Sequence, residues 1–302
     1  MDLKSKIILI SGPTASGKTN FAIKLAKKIS GEIINADSMQ VYKEFKILTA
    51  RPSSKEYSNI KHHLYGFRNV KKNFSTGEWL KLAKKKIIEI KKRKKTPILV
   101  GGTGLYFKLL IDGLVKIPTI PIKHRNKIRL YQKKIGQKKF FKKLLKIDPT
   151  MKNKISFKDS QRSIRAYEVK TFTKKSINEW YKKTKSQFSK NEFFMIYIDF
   201  PRPEIIKRIY ERTGQMIKKG VVNEVKKFLK LKIKDDKTSS KVIGIQEIKS
   251  FIKKDISLIE LNERISIKTR QYAKRQSTWA RGQMSDWQKI NPKDLNKFLK
   301  KL

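Results

Sequence analysis

The chain has 302 residues, with 75 lysines and arginines against 25 aspartates and glutamates, a formal net charge of +50. That length fits one large domain or two ordinary ones, and 38% hydrophobic with 10% aromatic residues is enough for a packed core, which excludes wholesale disorder. The absence of cysteine excludes a disulfide framework, a thiolate metal site and a cysteine nucleophile, and three histidines (His62, His63 and His124) exclude a His-rich metal centre.

In chain order, residues 6–11 (KIILIS) read as a buried strand, because four apolar residues and a serine run straight into a glycine loop. That stretch is too short for a secretory leader, and no apolar run approaches the ~18 residues of a membrane span, so the expected compartment is the cytoplasm, with no membrane partner. Residues 12–19 (GPTASGKT) form the loop, and residues 20–29 a helix with Phe21, Leu25 and Ile29 on one face. Residues 32–38 (EIINADS) predict a second strand ending at Asp37 and Ser38. A helix is expected over 79–94, then a strand from Pro97 that breaks at Gly101 and Gly102, then a strand over 193–200 and a helix over 203–219. Apolar strands alternating with amphipathic helices argue an α/β fold, a parallel sheet with helices on both faces.

Between residues 118 and 191 the pattern turns helical without a strand. Residues 121–190 hold 23 basic and 4 acidic side chains, a net +19 in 70 residues, denser than the chain as a whole. The expected organisation is a core of residues 1–117 and 192–302 with an all-helical basic subdomain inserted at 118–191. Residues 221–302 read as helical again, with a loop at 233–241 and a core stripe of Ile265, Tyr272 and Trp279 at sevenfold spacing. The charge has two readings, a nucleic-acid partner or a Lys-rich compositional habit.

Gly12-Pro13-Thr14-Ala15-Ser16-Gly17-Lys18-Thr19 satisfies G-x-x-x-x-G-K-[ST] between a strand and a helix. Backbone N–H groups at a helix start point at an anion and the helix dipole favours it. Lys18 can neutralise phosphate charge, and the Thr19 hydroxyl can ligate Mg²⁺. The loop thus predicts a di- or triphosphate ligand, ATP among the candidates. Phosphoryl transfer normally needs a further acid at a strand end; residues 98–102 (ILVGG) end in glycine, and residues 196–200 (IYIDF) supply Asp199 late in the chain, which weakens the ATPase reading without excluding it. Asp37, at the mouth of a parallel sheet, can hold a metal, orient a sugar or accept a proton. Arg212 can act as a lid on phosphates.

Several separated segments together resemble the tRNA dimethylallyltransferases: GPTASGKT at 12–19, INADSMQVY at 34–42, TARP at 49–52 and HHL at 62–64. The likeness continues through LVGGTGLYFKLLIDGL at 99–114, DSQRSIRAYEV at 159–169, RTGQMIKKGVVNEV at 212–225, VIGIQE at 242–247 and TRQYAKRQSTWAR at 269–281. Gly104 stands where many members have a larger residue, and Ile245 and Gln246 where many have an aromatic and a basic one. The resemblance implies a P-loop NTPase-like core acting as a monomer. It implies transfer of a dimethylallyl group from its diphosphate to N6 of the adenine 3′ of the anticodon, with Mg²⁺ as cofactor. It implies Asp37 as general base, Thr19 and Lys18 on diphosphate and metal, Arg212 on the diphosphate and Thr103 beside the reacting nucleotide. RNA contacts are implied for Asp37, Ser38, Met39 and Gln40, for Thr103 and Arg125, and for Gln161, Arg162, Ser163, Ile164 and Arg165. They are also implied for Lys241, Val242, Ile243, Gly244, Ile245 and Gln246, and for Lys274, Arg275, Gln276, Ser277, Thr278, Trp279, Ala280 and Arg281. A P-loop kinase of small molecules or nucleotides is the alternative, and it leaves the basic insert and the TRQYAKRQ segment unexplained.

Overall fold

In strand positions 7 to 10 successive side chains point to opposite sides of a sheet, so an uninterrupted run of Ile-Ile-Leu-Ile needs cover on both. The computed structural model, which describes residues 3–182, 184–235 and 237–302, supplies it. The elements of the first half are β1 (Ile7–Ser11), α1 (Lys18–Lys28), β2 (Gly31–Asn35), β3 (His62–His63), α2 (Thr76–Lys92), β4 (Thr96–Val100) and α3 (Gly104–Asp112). Then come α4 (Ile122–Ile135), α5 (Gln137–Ile147), α6 (Ser160–Thr173) and α7 (Ile177–Lys182). The last part is β5 (Phe193–Ile198), α8 (Arg202–Lys218), α9 (Val221–Lys230), α10 (Ile245–Ile252), α11 (Leu258–Gln283), β6 (Gln288–Ile290) and α12 (Leu295–Lys300).

The six strands form one sheet in the order β3-β2-β4-β1-β5-β6. Every neighbouring pair is parallel, with Leu9 opposite Leu99 and Met195 in the central register. Ile7, Leu9, Ile34 and Leu99 face a core built with Trp79, Ile87, Phe107 and Ile265. Ile8, Ile10, Ile33 and Ile98 face the other core, with Phe21, Leu25 and Ile29. The structure is thus the expected α/β sheet with helices on both faces.

Two strands escape the sequence reading. β3 is two histidines with no apolar run, and β6 is a three-residue edge with Gln288 and Lys289 exposed, inside a tail read as helical. Helix α2 starts three residues before the expected position because Ser75 and Glu78 form a capping box: Ser75 Oγ accepts the Glu78 N–H at 3.1 Å and the Glu78 carboxylate accepts the Ser75 N–H at 2.8 Å.

The chain divides into two units, Met1–Ile111 with Phe188–Leu302, and Asp112–Gln187. Phe188 is buried in the core of the first unit, which puts the second boundary before the position read from the sequence. The second unit packs α4 to α7 around Ile120, Leu144, Met151, Ala166, Val169 and Ile177. Its buried Glu168 carboxylate is ringed by Arg165 at 3.4 Å, Arg125 at 3.5 Å and Arg129 at 3.8 Å.

Candidate functional site

Parallel strands end together, so the loops after β1, β2 and β4 meet at one edge of the sheet. After β1 the chain turns through Gly12, where a Cβ would stand 2.9 Å from the Ile198 carbonyl oxygen, and enters α1 through Gly17 at φ +82°. No side chain caps α1, so its first-turn N–H groups are available to an anion. Lys18 folds back onto its own loop, donating to Pro13 O at 2.7 Å and Ser16 Oγ at 3.4 Å. Arg212 reaches in from α8 and donates to Thr14 Oγ1 at 2.9 Å, and its buried Nε has no partner among the described residues.

After β2, Asn35 ties the turn: its Oδ1 accepts the Asp37 N–H at 2.9 Å and its Nδ2 donates to Asp37 O and Leu64 O at 3.0 Å each. Asp37 Oδ1 accepts the Met39 N–H at 2.9 Å, which fixes the carboxylate and leaves its second oxygen to the cavity. After β4, the Thr103 hydroxyl accepts the Ser38 N–H at 3.0 Å. These loops border a cavity of about 770 Å³ lined by residues 14–20 and Asp37 and by Gln40, Tyr65, Gly101, Arg208, Arg212 and Gln276.

Asp37 is the electrostatic centre of this edge. Burial brings the Lys18 ammonium down to about 7, Asp37 opposes that fall, and Arg212 adds to it. Burial likewise lowers Arg212, again against the pull of Asp37. The phenols of Tyr65, Tyr106 and Tyr272 are pushed up, by burial first and then by neighbouring charge that includes Asp37. A buried lysine brought down to about 7, beside an arginine whose Nε lacks a partner, favours a multiply charged anion, which stabilises both cations.

For a metal, the cavity lining includes the Thr19 hydroxyl and the carboxylates of Asp37, Glu56 and Glu211, and among the described residues no three His, Asp or Glu side chains are grouped to hold one. Such a sparse oxygen set fits Mg²⁺, which keeps several waters and takes other ligands from substrate phosphates.

The expected RNA residues divide by exposure. Gln161, Arg162, Lys241, Gln246, Lys274, Arg275, Thr278 and Arg281 are exposed, whereas Ile164, Ile243 and Ser277 are partly covered. Ser163, Val242, Gly244, Ile245 and Ala280 are buried, so their side chains are committed to packing rather than to a surface. Met39 packs on the core and Gln40 spends its amide on the carbonyls of Thr49 and Ala50. Arg125 and Arg165 lie against Glu168, and Arg162 pairs with Asp159 at 3.4 Å. The expected stripe on α11 is corrected at one position. Ile265 is core and Trp279 packs at its edge, but Tyr272 lies within hydrogen-bonding reach of Thr103 and Gln276. The sevenfold spacing could not reveal this, because Tyr272, Gln276 and Trp279, at i, i+4 and i+7, share one face and that face meets the turn after β4. Glu224 was also missed: its carboxylate accepts the N–H groups of Lys46, Ile47 and Leu48 at 2.8 to 2.9 Å, holding the loop that carries Thr49 and Ala50 into the cavity.

A family model described as IPP transferase matches residues 40–283. The chain belongs to the IPP transferase family. A relative in the family, the tRNA dimethylallyltransferase of Pelagibacter ubique, is 61% identical over 302 residues, covering all of this chain and 96% of its own. The tRNA dimethylallyltransferase of Agrobacterium fabrum is 40% identical over 294 residues, covering 97% and 99%. Among solved structures, the full-length tRNA isopentenylpyrophosphate transferase of Bacillus halodurans matches with a TM-score of 0.70 at 31% identity, covering 98% of this chain and 95% of that one. A eukaryotic dimethylallyltransferase captured acting on tRNA matches with a TM-score of 0.84 at 26% identity, covering 97% and 75%.

Proposed function

We propose that this chain transfers a dimethylallyl group from dimethylallyl diphosphate to N6 of the adenine 3′ of the anticodon in tRNA. One observation carries the reading: an anion cradle and a fixed carboxylate with an open oxygen border the same cavity. The amides at the start of α1, from Gly17 to Thr19, with Lys18 and Arg212, hold the diphosphate and stabilise the charge that develops on it as the allylic carbon–oxygen bond breaks. Adenine N6 is a weak nucleophile, its lone pair being delocalised into the ring. Asp37 removes one of its protons as the carbon–nitrogen bond forms. Thr103 braces the turn beside Asp37 through Ser38. Thr19 and the diphosphate oxygens would hold Mg²⁺, which supplies further neutralisation of the leaving group.

The adenine must leave its stack to reach such a site, at a cost of a few kcal/mol that protein contacts offset. The basic side chains of the insert and the exposed face of α11, Lys274, Arg275 and Arg281, suit RNA phosphates. No helix among the described residues is long and apolar enough to cross a membrane. We assign the activity to a cytoplasmic monomer, checked by light scattering of the purified chain.

The test is incubation with an unmodified tRNA transcript, radiolabelled dimethylallyl diphosphate and, separately, γ-labelled ATP. Label on adenine N6 from the prenyl donor supports the proposal. Phosphate transfer from ATP without prenylation overturns it in favour of a kinase.

A further inference from the structure

Gln276 was expected to face RNA, but its amide is spent within the protein. Its Oε1 accepts the N–H of Thr14 at 2.8 Å and its Nε2 donates to the carbonyl of Gly102 at 2.9 Å. Thr14 belongs to the phosphate loop, and its hydroxyl also takes the bond from Arg212. Gly102 precedes Thr103, which holds Ser38 beside Asp37. One side chain of α11 therefore ties the loop after β1 to the turn after β4.

The tie requires close approach. A Cβ at Gly102 would stand 2.0 Å from Gln276 Nε2, and one at Gly104 would stand 2.1 Å from Trp279 Nε1. The helix thus presses on the turn at two points three residues apart, which also accounts for glycine at 104. Tyr272, one helical turn before Gln276, lies within hydrogen-bonding reach of both Thr103 and Gln276.

From this juxtaposition we propose that Gln276 is a positioning residue for prenyl transfer, setting the separation between the diphosphate cradle and the turn that seats the adenine. The inference rests on the function proposed above. When the allylic carbon–oxygen bond breaks and pyrophosphate departs, the electron-poor carbon takes whichever nucleophile is aligned. With N6 in place, a carbon–nitrogen bond forms and the N6 proton leaves. If cradle and turn drift apart, water attacks instead: its oxygen bonds to the carbon, its proton passes to solvent, and the products are a prenyl alcohol and pyrophosphate.

The experiment measures both products in one reaction, with tRNA and labelled dimethylallyl diphosphate, for wild type, Gln276→Met and Gln276→Asn. Methionine keeps the length and loses both bonds, and asparagine is too short to span both partners. A displacement near 1 Å costs up to about 100-fold in rate, so kcat should fall about 10- to 100-fold while KM for tRNA stays within about threefold. The ratio of prenyl alcohol to prenylated adenine should rise at least about tenfold, as lost alignment implies. That ratio is set by active molecules alone, so partial unfolding of a variant does not move it. A wild-type ratio in both variants overturns the role of Gln276 whatever happens to kcat. A wild-type protein that prenylates no adenine overturns instead the proposed function.

Discussion

The enclosed lysine of the phosphate loop gives a quantitative handle on donor binding. Burial brings Lys18 from 10.5 to about 7 in the ligand-free site, so the side chain is largely neutral at pH 8. A bound diphosphate adds negative charge against it and favours the ammonium. Binding therefore takes up a proton wherever the free site is neutral and the complex is charged. Linkage then weakens affinity about tenfold for each pH unit above 7, or about 100-fold from pH 7 to pH 9. The last ionisation of a phosphate ester lies near 6, so the ligand's own charge stays nearly constant in that window. Calorimetry with dimethylallyl diphosphate in the absence of tRNA measures the slope, and buffers of different ionisation enthalpy count the proton directly. Lys18→Arg keeps a fixed charge and should give a flat profile. Asp37→Asn removes a charge that supports the ammonium, so the onset should move to lower pH. A wild-type affinity constant between pH 7 and 9, with no proton uptake, refutes the reasoning.

Asp37→Asn should also reduce turnover by about 10²- to 10⁴-fold, the range of general-base contributions, while tRNA retention on filters changes little; near-normal turnover removes Asp37 from the base role. Affinity for tRNA should fall with salt: four phosphate contacts, from Lys241, Lys274, Arg275 and Arg281, give a log–log slope near −3, and a flat response removes the RNA-binding assignment. In the insert, Glu168→Gln strips the charge facing Arg125, Arg129 and Arg165; because the three guanidinium groups are partly exposed, the cost in denaturant unfolding should be about 1 kcal/mol, with an unchanged midpoint contradicting the ion cluster.

The central strands were legible because an unbroken apolar run followed by glycine has few other folds. Residues 7–11 and 96–100 are buried throughout. β3 and β6 were not legible, since their pairing depends on which edge remains open and not on their own side chains. The phosphate loop could be read whole, because its chemistry is local in sequence. The partners of that loop could not: Gln276 lies 262 residues from Thr14, and only the packing of α11 reveals that its amide turns inward. Tyr272 shows the same limit. Its spacing matched a core stripe, yet one helix carries several overlapping periodicities, and tertiary contact decides which of them is buried.

The turn after β4 also bears on which bond this site breaks. A phosphoryl-transfer site of this class places a metal-binding acid near the end of a neighbouring strand. Here a Cβ at Gly101 would stand 2.1 Å from the Ala36 carbonyl carbon, so no side chain, acidic or otherwise, fits at that strand end. The same close approach brings Thr103 within reach of the Ala36 carbonyl, its N–H donating at 3.3 Å, and sets the Thr103 hydroxyl on Ser38. A carboxylate reaches this edge from the end of β2, as Asp37, held by a backbone N–H on one oxygen. A carboxylate so placed, beside a cradle with two cations, suits proton abstraction from an incoming amine while the charge builds on the departing diphosphate.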